Sequence, residues 1–75
     1  MITEAQHRKI RATMMLHGVK VAHIAEREKV TDNYVTYVIT GRRKGYRIRK
    51  AIAEECGVAY GELWPEDDSD LPEAA

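Results

Sequence analysis

The chain has few of the residues that interrupt helices or cross-link small proteins. Among its 75 residues is a single cysteine, Cys56, so no disulfide can form within the chain and a reducing compartment is expected. Proline is absent before Pro65, so residues 1–64 contain no proline that would break a helix. No apolar run approaches the length of a membrane span or of a signal-peptide core. We therefore expect a soluble, cytoplasmic protein with no membrane partner, stabilised by packed helices.

Residue patterns that support metal binding or catalysis are also lacking. The three histidines and the one cysteine do not match a zinc-binding spacing. The sequence contains no glycine-rich phosphate loop and no recognisable nucleophile–base pair. We therefore expect no metal, no cofactor and no enzymatic activity. Cys56 lies in an apolar pattern and is expected to be a buried structural thiol. Trp64 is expected in the core, and His17 is expected to pack against the core or to cap a helix.

The net charge of zero conceals a segregation of charge along the chain. Residues 1–64 contain all twelve basic residues and seven acidic ones, a net charge of +5. Residues 65–75 contain five acidic residues and no basic one, a net charge of −5. A basic globule is typical of nucleic-acid binding. The segment 65–75 is expected to be a disordered acidic tail, which either keeps the protein soluble or competes with phosphates for the basic surface.

Periodicity and capping residues predict an all-α domain of five helices over residues 1–64. Thr3 and Gln6 form a capping-box start, and Thr31 is a favourable N-cap. Glycines after the apolar runs mark helix ends. Met15 and Leu16 fall off the apolar stripe of the first helix, and core packing does not explain them. The predicted helices cover residues 4–17, 21–28, 32–40, 47–56 and 59–63.

The second and third predicted helices are separated by only about two residues, Lys29 and Val30, and a connection this short forces the steep crossing of a helix-turn-helix. That motif has a small residue where the third helix passes over the second, and Ala25 lies there. It also has four apolar positions, occupied by Ile24, Val30, Val35 and Val38. On these residues, and on "GVKVAHIAEREKV" and "RIRKAIAEECGVAYGELW", residues 3–64 resemble a lambda-repressor or Cro-type DNA-binding domain. The ending "ELWP" resembles the phage Ner-like regulators.

The sequence departs from the family pattern at three positions of the motif. The turn position that is usually glycine, because the backbone takes a positive φ there, is Lys29. A lysine can adopt that conformation at a cost of about 1 kcal/mol. The usually apolar position before it is Glu28. The first position, often a glutamine that contacts phosphate, is Val21.

The resemblance implies that the second helix of the motif enters the major groove of DNA. Its outward side chains would then read bases: an asparagine can pair with adenine, an aspartate can accept from cytosine, and a threonine methyl can contact thymine. The expected base-reading residues are Asp32, Asn33, Thr36, Tyr37 and Thr40. The expected phosphate-binding residues are Thr31, Tyr34, Arg42, Arg43, Lys44 and Arg47, with the basic run continued by Arg49 and Lys50.

The sequence therefore predicts a sequence-specific, double-stranded DNA-binding transcription regulator of the phage or prophage repressor, Cro or Ner type, with a homodimer on DNA as one arrangement. An alternative is a protein–protein interaction module or an antitoxin-like regulator that uses its helical surface and acidic tail. The basic globule and its clustered cations favour the DNA-binding interpretation.

Overall fold

In the computed structural model, residues 3–65 are described, and they form five α-helices with no strand among them. The all-α prediction with five helices is confirmed. The helices are α1 (Glu4–Leu16), α2 (Val21–Glu28), α3 (Asp32–Thr40), α4 (Tyr46–Cys56) and α5 (Tyr60–Leu63). The acidic segment predicted for residues 65–75 lies outside the described residues from residue 66 onward. None of the helices within residues 3–65 is both long and apolar enough to cross a membrane.

Local capping explains why the predicted helix bounds are close to the observed ones. The hydroxyl oxygens of Thr3 and Thr31 each accept a hydrogen bond from the backbone N–H three residues later, at 3.1 Å. The bounds of α2 and α3 are as predicted, whereas α1 ends one residue earlier, α4 begins one residue earlier and α5 begins one residue later. His17 is the exposed C-cap of α1, so it caps the helix and does not join the core.

All five helices contribute to one hydrophobic core. α2 packs against α3 and α4, while α1 closes the opposite side through contacts with α3, α4 and α5. The side-chain amide of Gln6 near the start of α1 donates to the carbonyl of Leu63 at 2.9 Å, which fixes α5 against α1. The buried apolar residues are Ile10, Met14, Val19, Ile24, Ala25, Val35, Val38, Ile39, Ile48, Ala51, Ile52, Ala53, Cys56, Leu63 and Trp64.

Trp64 closes the core beneath α5, as predicted, with none of its surface exposed. Its ring meets Tyr60 at 5.6 Å between centroids, and the guanidinium of Arg49 lies 5.5 Å from the Trp64 ring. Arg49 is itself buried and also faces the ring of Tyr46, at 5.9 Å. The sequence analysis assigned Arg49 to the basic run that follows α3, and that assignment is wrong because this cation packs inside the fold among aromatic rings.

A charged cluster joins the outer surfaces of α2 and α4. The guanidinium of Arg27 binds the carboxylates of Glu54 and Glu55, and it also lies 3.1 Å from a carboxylate oxygen of Glu28. The hydrogen bond with Glu54 raises the pKa of Arg27. His23 adds a contact to Glu55 at 3.0 Å. These contacts join α2 to α4 at the surface, in addition to the buried packing between the two helices.

Cys56 is buried in the last turn of α4, as the sequence predicts. Burial, followed by the nearby charge of Glu55, raises the pKa of the Cys56 thiol. We expect a thiol-reactive reagent at neutral pH to modify the native protein far more slowly than the protein in denaturant. The measurement is the rate of labelling by mass spectrometry with and without denaturant. Equal rates in the two conditions would contradict the burial of this thiol.

Candidate nucleic-acid interface

The predicted base-reading residues lie together on the outward surface of α3. At 3.6 residues per turn, their positions fall within an arc of about 140° around the helix axis. Asp32, Asn33 and Tyr37 are exposed, and Thr36 and Thr40 are partly exposed. The Thr40 hydroxyl donates to the carbonyl of Tyr37 at 3.2 Å, so its hydrogen is already used within the helix. The arc therefore presents a carboxylate, an amide, a threonine hydroxyl and a phenol to whatever lies against α3.

The opposite side of α3 holds this arc outward. Val35, Val38 and Ile39 are fully buried against the other helices, so α3 cannot rotate about its axis without exposing them. Thr31 caps the helix start and is exposed. Because the Thr31 oxygen accepts from the N–H of Tyr34, its own O–H remains able to donate to a phosphate oxygen.

The turn between α2 and α3 consists of Lys29, Val30 and Thr31. Lys29 has φ 58° and ψ 48°, a left-handed conformation that glycine adopts more readily than other residues. The N–H of Val30 donates to the carbonyl of Ala25 at 3.0 Å, and Val30 packs against the core. The turn thus has the expected backbone geometry with a lysine in place of glycine.

Glu28, at the end of α2, forms ion pairs in the fold. Its side chain is only 14% exposed, and one carboxylate oxygen lies 2.9 Å from the Nε of Arg47 at the start of α4. Arg47 also donates from Nη2 to the backbone carbonyl of Glu28 at 2.8 Å. Arg47 therefore links the end of α2 to the start of α4, and fewer of its donors remain for the phosphate contact that the sequence predicts.

Tyr34 does not share the outward arc of the base-reading residues. It is half-buried, packs against the core and lines an open cleft with Val30, Gly45, Tyr46 and other residues at the start of α4. A phosphate contact by its hydroxyl therefore requires the nucleic-acid backbone to pass over this cleft, beside α3.

Three cations follow α3 in an exposed loop, which we call the basic loop (Arg42, Arg43 and Lys44). The backbone N–H groups of Arg42 and Arg43 both donate to the carbonyl of Tyr37, at 2.8 and 3.2 Å, so the loop turns back over the end of α3. The guanidinium of Arg42 lies 5.8 Å from the centre of the Tyr37 ring. The basic loop is thereby placed directly beside the outward arc of α3.

The sequence analysis missed two contacts that position this surface. These are the Arg27 cluster that joins α2 to α4, and the Glu28–Arg47 pair that fixes the turn relative to α4. The pairs join residues that are distant in the chain, so helical spacing gives no signal for them. Within residues 3–65 no group of three or more His, Cys, Asp or Glu side chains is arranged to hold a metal ion.

No protein-family model, no curated protein and no solved structure matches this chain.

Proposed function

We propose that the protein is a sequence-specific, double-stranded DNA-binding transcription regulator of the phage or prophage repressor, Cro or Ner type, acting in the cytoplasm. α2 and α3 serve as its helix-turn-helix, with α3 in the major groove. The observation that carries the proposal is the adjacency of two features: an arc of hydrogen-bonding side chains on the second helix of a tightly linked pair, and three exposed cations at its exit.

The two features supply the two kinds of contact that specific DNA binding needs. Asn33 in the first turn of α3 can pair with the N6 and N7 positions of adenine, and Thr36 one turn later can meet a thymine methyl. The basic loop and Thr31 supply phosphate contacts, which set the orientation of the protein on the duplex. α4 begins beside the basic loop at Gly45 without a side-chain cap, so its first N–H groups are a further source of phosphate contacts.

The fixed position of α2 on α4 supports the proposal in a second way. The Arg27 cluster joins α2 to α4, the Glu28–Arg47 pair joins the end of α2 to the start of α4, and α3 packs on both helices through its buried side. Base readout depends on such rigidity, because a side chain must meet a base edge at hydrogen-bond distance while the cations meet the backbone. If two copies bind as a symmetric dimer, half-sites one helical turn apart, about 34 Å, are expected.

The test is the effect of Asn33→Ala on specific and non-specific binding. A preferred site is first selected from a random duplex library, and the affinity of each protein is measured on that site and on unselected DNA at one salt concentration. We expect the substitution to weaken binding to the selected site by about 1–3 kcal/mol, with little change on unselected DNA.

A matched pair of threonine substitutions controls for general effects on helices. Thr36→Ala removes a hydroxyl and a methyl from the arc of α3, whereas Thr13→Ala removes the same groups from α1, where the Thr13 hydroxyl donates to the carbonyl of Lys9. We expect only Thr36→Ala to lower the preference for the selected site. Equal losses on selected and unselected DNA for both Asn33→Ala and Thr36→Ala would show that α3 does not read bases.

A further inference from the structure

An apolar groove with a cationic rim lies on the side of the fold where α1 passes into α2. Met15 and Leu16, in the last turn of α1, are each 81% exposed, far more than any other large apolar side chain within residues 3–65. Beside them is an open cleft lined by Arg11, Met14, Met15, Gly18, Val19, Lys20 and Val21. We call this surface, including Leu16, the α1–α2 groove. Neither core packing nor the proposed base-reading arc uses it.

The charged residues that line the groove are both basic. Arg11 and Lys20 line it and no acidic residue does. Lys20 forms no ion pair with a carboxylate elsewhere in residues 3–65, and the Arg11 Nε donates only to the imidazole of His7, at 3.2 Å. An occupant that neutralises the rim and covers Met15 and Leu16 must therefore be acidic and must carry an apolar side chain.

The segment that follows the described residues has this composition. Residues 66–71 read Glu-Asp-Asp-Ser-Asp-Leu, four carboxylates followed by a leucine, with no basic residue among them. We propose that residues 66–71 dock in the α1–α2 groove of the same molecule, with Leu71 against Met15 and Leu16 and the carboxylates beside Arg11 and Lys20.

The reach of the segment agrees with this placement. The chain leaves α5 beside the start of α1, because the Gln6 side chain holds the carbonyl of Leu63. From Gln6 to Met15 the rise along α1 is about 14 Å, at 1.5 Å per residue. Six extended residues span about 20 Å, so residues 66–71 can run beside α1 from its first turns to its last.

The groove provides an apolar contact for Leu71, and the basic loop provides a poorer one. Contact between the acidic segment and Arg42, Arg43 and Lys44 would pair the carboxylates but offers Leu71 only the partly exposed Tyr37 ring, which already faces Arg42. Among residues 3–65, the large aliphatic side chains that are exposed are Met15 and Leu16, and they lie beside the cations of the groove. Since Lys20 is also the N-cap of α2, a docked segment would lie across the start of that helix. This last point bears on DNA binding only if the proposed function holds; the docking itself does not depend on it.

The experiment is paramagnetic relaxation in the full-length chain. A nitroxide is attached to Ser69→Cys, and mass spectrometry confirms a single label, because the buried Cys56 reacts slowly. In the ¹⁵N-labelled protein without DNA, we expect the amide signals of Met15, Leu16 and Val19 to lose most of their intensity and to recover when the nitroxide is reduced. Added salt should reduce the loss, because ionic screening weakens the attraction to the rim.

Three variants of the labelled protein test the contacts that carry the proposal. Met15→Ser with Leu16→Ser changes exposed side chains only, so the fold should persist while the signal loss in the groove disappears. Lys20→Gln should weaken the signal loss. Lys9→Gln makes the same charge change on the exposed surface of α1 outside the groove, and it should leave the signal loss unchanged.

Several results would overturn the proposal. Strongest signal loss at residues 42–44 would place the segment on the basic loop, and no localised loss would mean that it does not dock. Equally strong signal loss in a mixture of ¹⁵N-labelled molecules without nitroxide and unlabelled nitroxide-bearing molecules would assign the groove to a second copy. Since DNA is absent from all samples, none of these results bears on the proposed DNA-binding function.

Discussion

Replacing Gly45 with alanine is expected to lower the free energy of unfolding by about 2–5 kcal/mol, from the cost of a left-handed residue together with the cost of overpacking. Gly45 has φ 46°, a conformation that side-chain-bearing residues rarely adopt. A Cβ at this position would lie 2.6 Å from Cγ2 of Val38 and 3.2 Å from the hydroxyl of Tyr34. Val38 is fully buried, so it has no free space into which to move.

Gly57→Ala is the matched control for this prediction. Gly57 has φ 72°, but a Cβ there would meet no atom within 4 Å. Its replacement should therefore cost only the conformational part, about 1–2 kcal/mol. Denaturant titrations of the three proteins provide the comparison. If Gly45→Ala lowers the free energy of unfolding no more than Gly57→Ala does, the close contact with Val38 is relieved without strain. The start of α4 is then not closely packed against α3.

The effect of Gly45→Ala extends to the candidate interface. Gly45 joins the basic loop to α4, and Arg47 two residues later holds Glu28 at the end of α2. A shift at Gly45 would move the basic loop relative to α3. If the protein binds DNA as proposed, we expect the folded fraction of the variant to bind DNA less specifically.

The bounds of α2 and α3 could be predicted because local chemistry determines them. Thr31 supplies a capping oxygen at the start of α3, and Gly41 supplies the left-handed residue at its end, with φ 91°. The buried positions Val35 and Val38 follow from helical periodicity alone. The end of α1 was predicted less accurately. His17 lies on the same face as the buried residues of α1, so the pattern predicts a helix to His17, although the helix ends at Leu16.

The role of individual charged residues could not be predicted from composition. The sequence predicts Arg47 and Arg49 to be surface cations. In the structure Arg47 binds Glu28, and Arg49 is buried against Trp64. Part of that difference was present in the sequence, because Arg49 lies seven residues before Cys56 and so shares the buried side of α4. The pairing of Arg27 with Glu54 and Glu55 depends on how α2 meets α4, and no local pattern specifies it.

The structure leaves the basic loop as three consecutive exposed cations beside the outward arc of α3. Arg49 is buried, and Arg27 and Arg47 are paired with carboxylates, so these three cations contribute little to a long-range attraction. Arg42, Arg43 and Lys44 are exposed and form no ion pair within residues 3–65. If the protein binds DNA as proposed, these residues should contribute to the salt dependence, because the basic loop turns back over the end of α3.

Neutralising Arg42 and Arg43 together, as Arg42→Gln with Arg43→Gln, is therefore expected to reduce the slope of log K against log salt by about 1.8, since each phosphate contact contributes about 0.9. The same relation gives a loss of affinity of roughly 50–100-fold near 0.1 M salt, which shrinks as salt rises. The reduction should be the same on selected and unselected DNA, because phosphates carry no sequence information. The measurement is a salt titration of binding on both DNAs.

Two matched controls identify the origin of the change. Arg42→Lys with Arg43→Lys keeps both charges and should keep the slope, although it removes the planar group that Arg42 places over Tyr37. Lys9→Gln with Arg11→Gln removes the same charge from two exposed positions of α1 that form no ion pair, outside the proposed interface, and should also leave the slope unchanged. If the α1 control reduces the slope as much as the loop variant, the attraction arises from net charge alone. The basic loop would then not be a phosphate-binding element, whatever α3 does with bases.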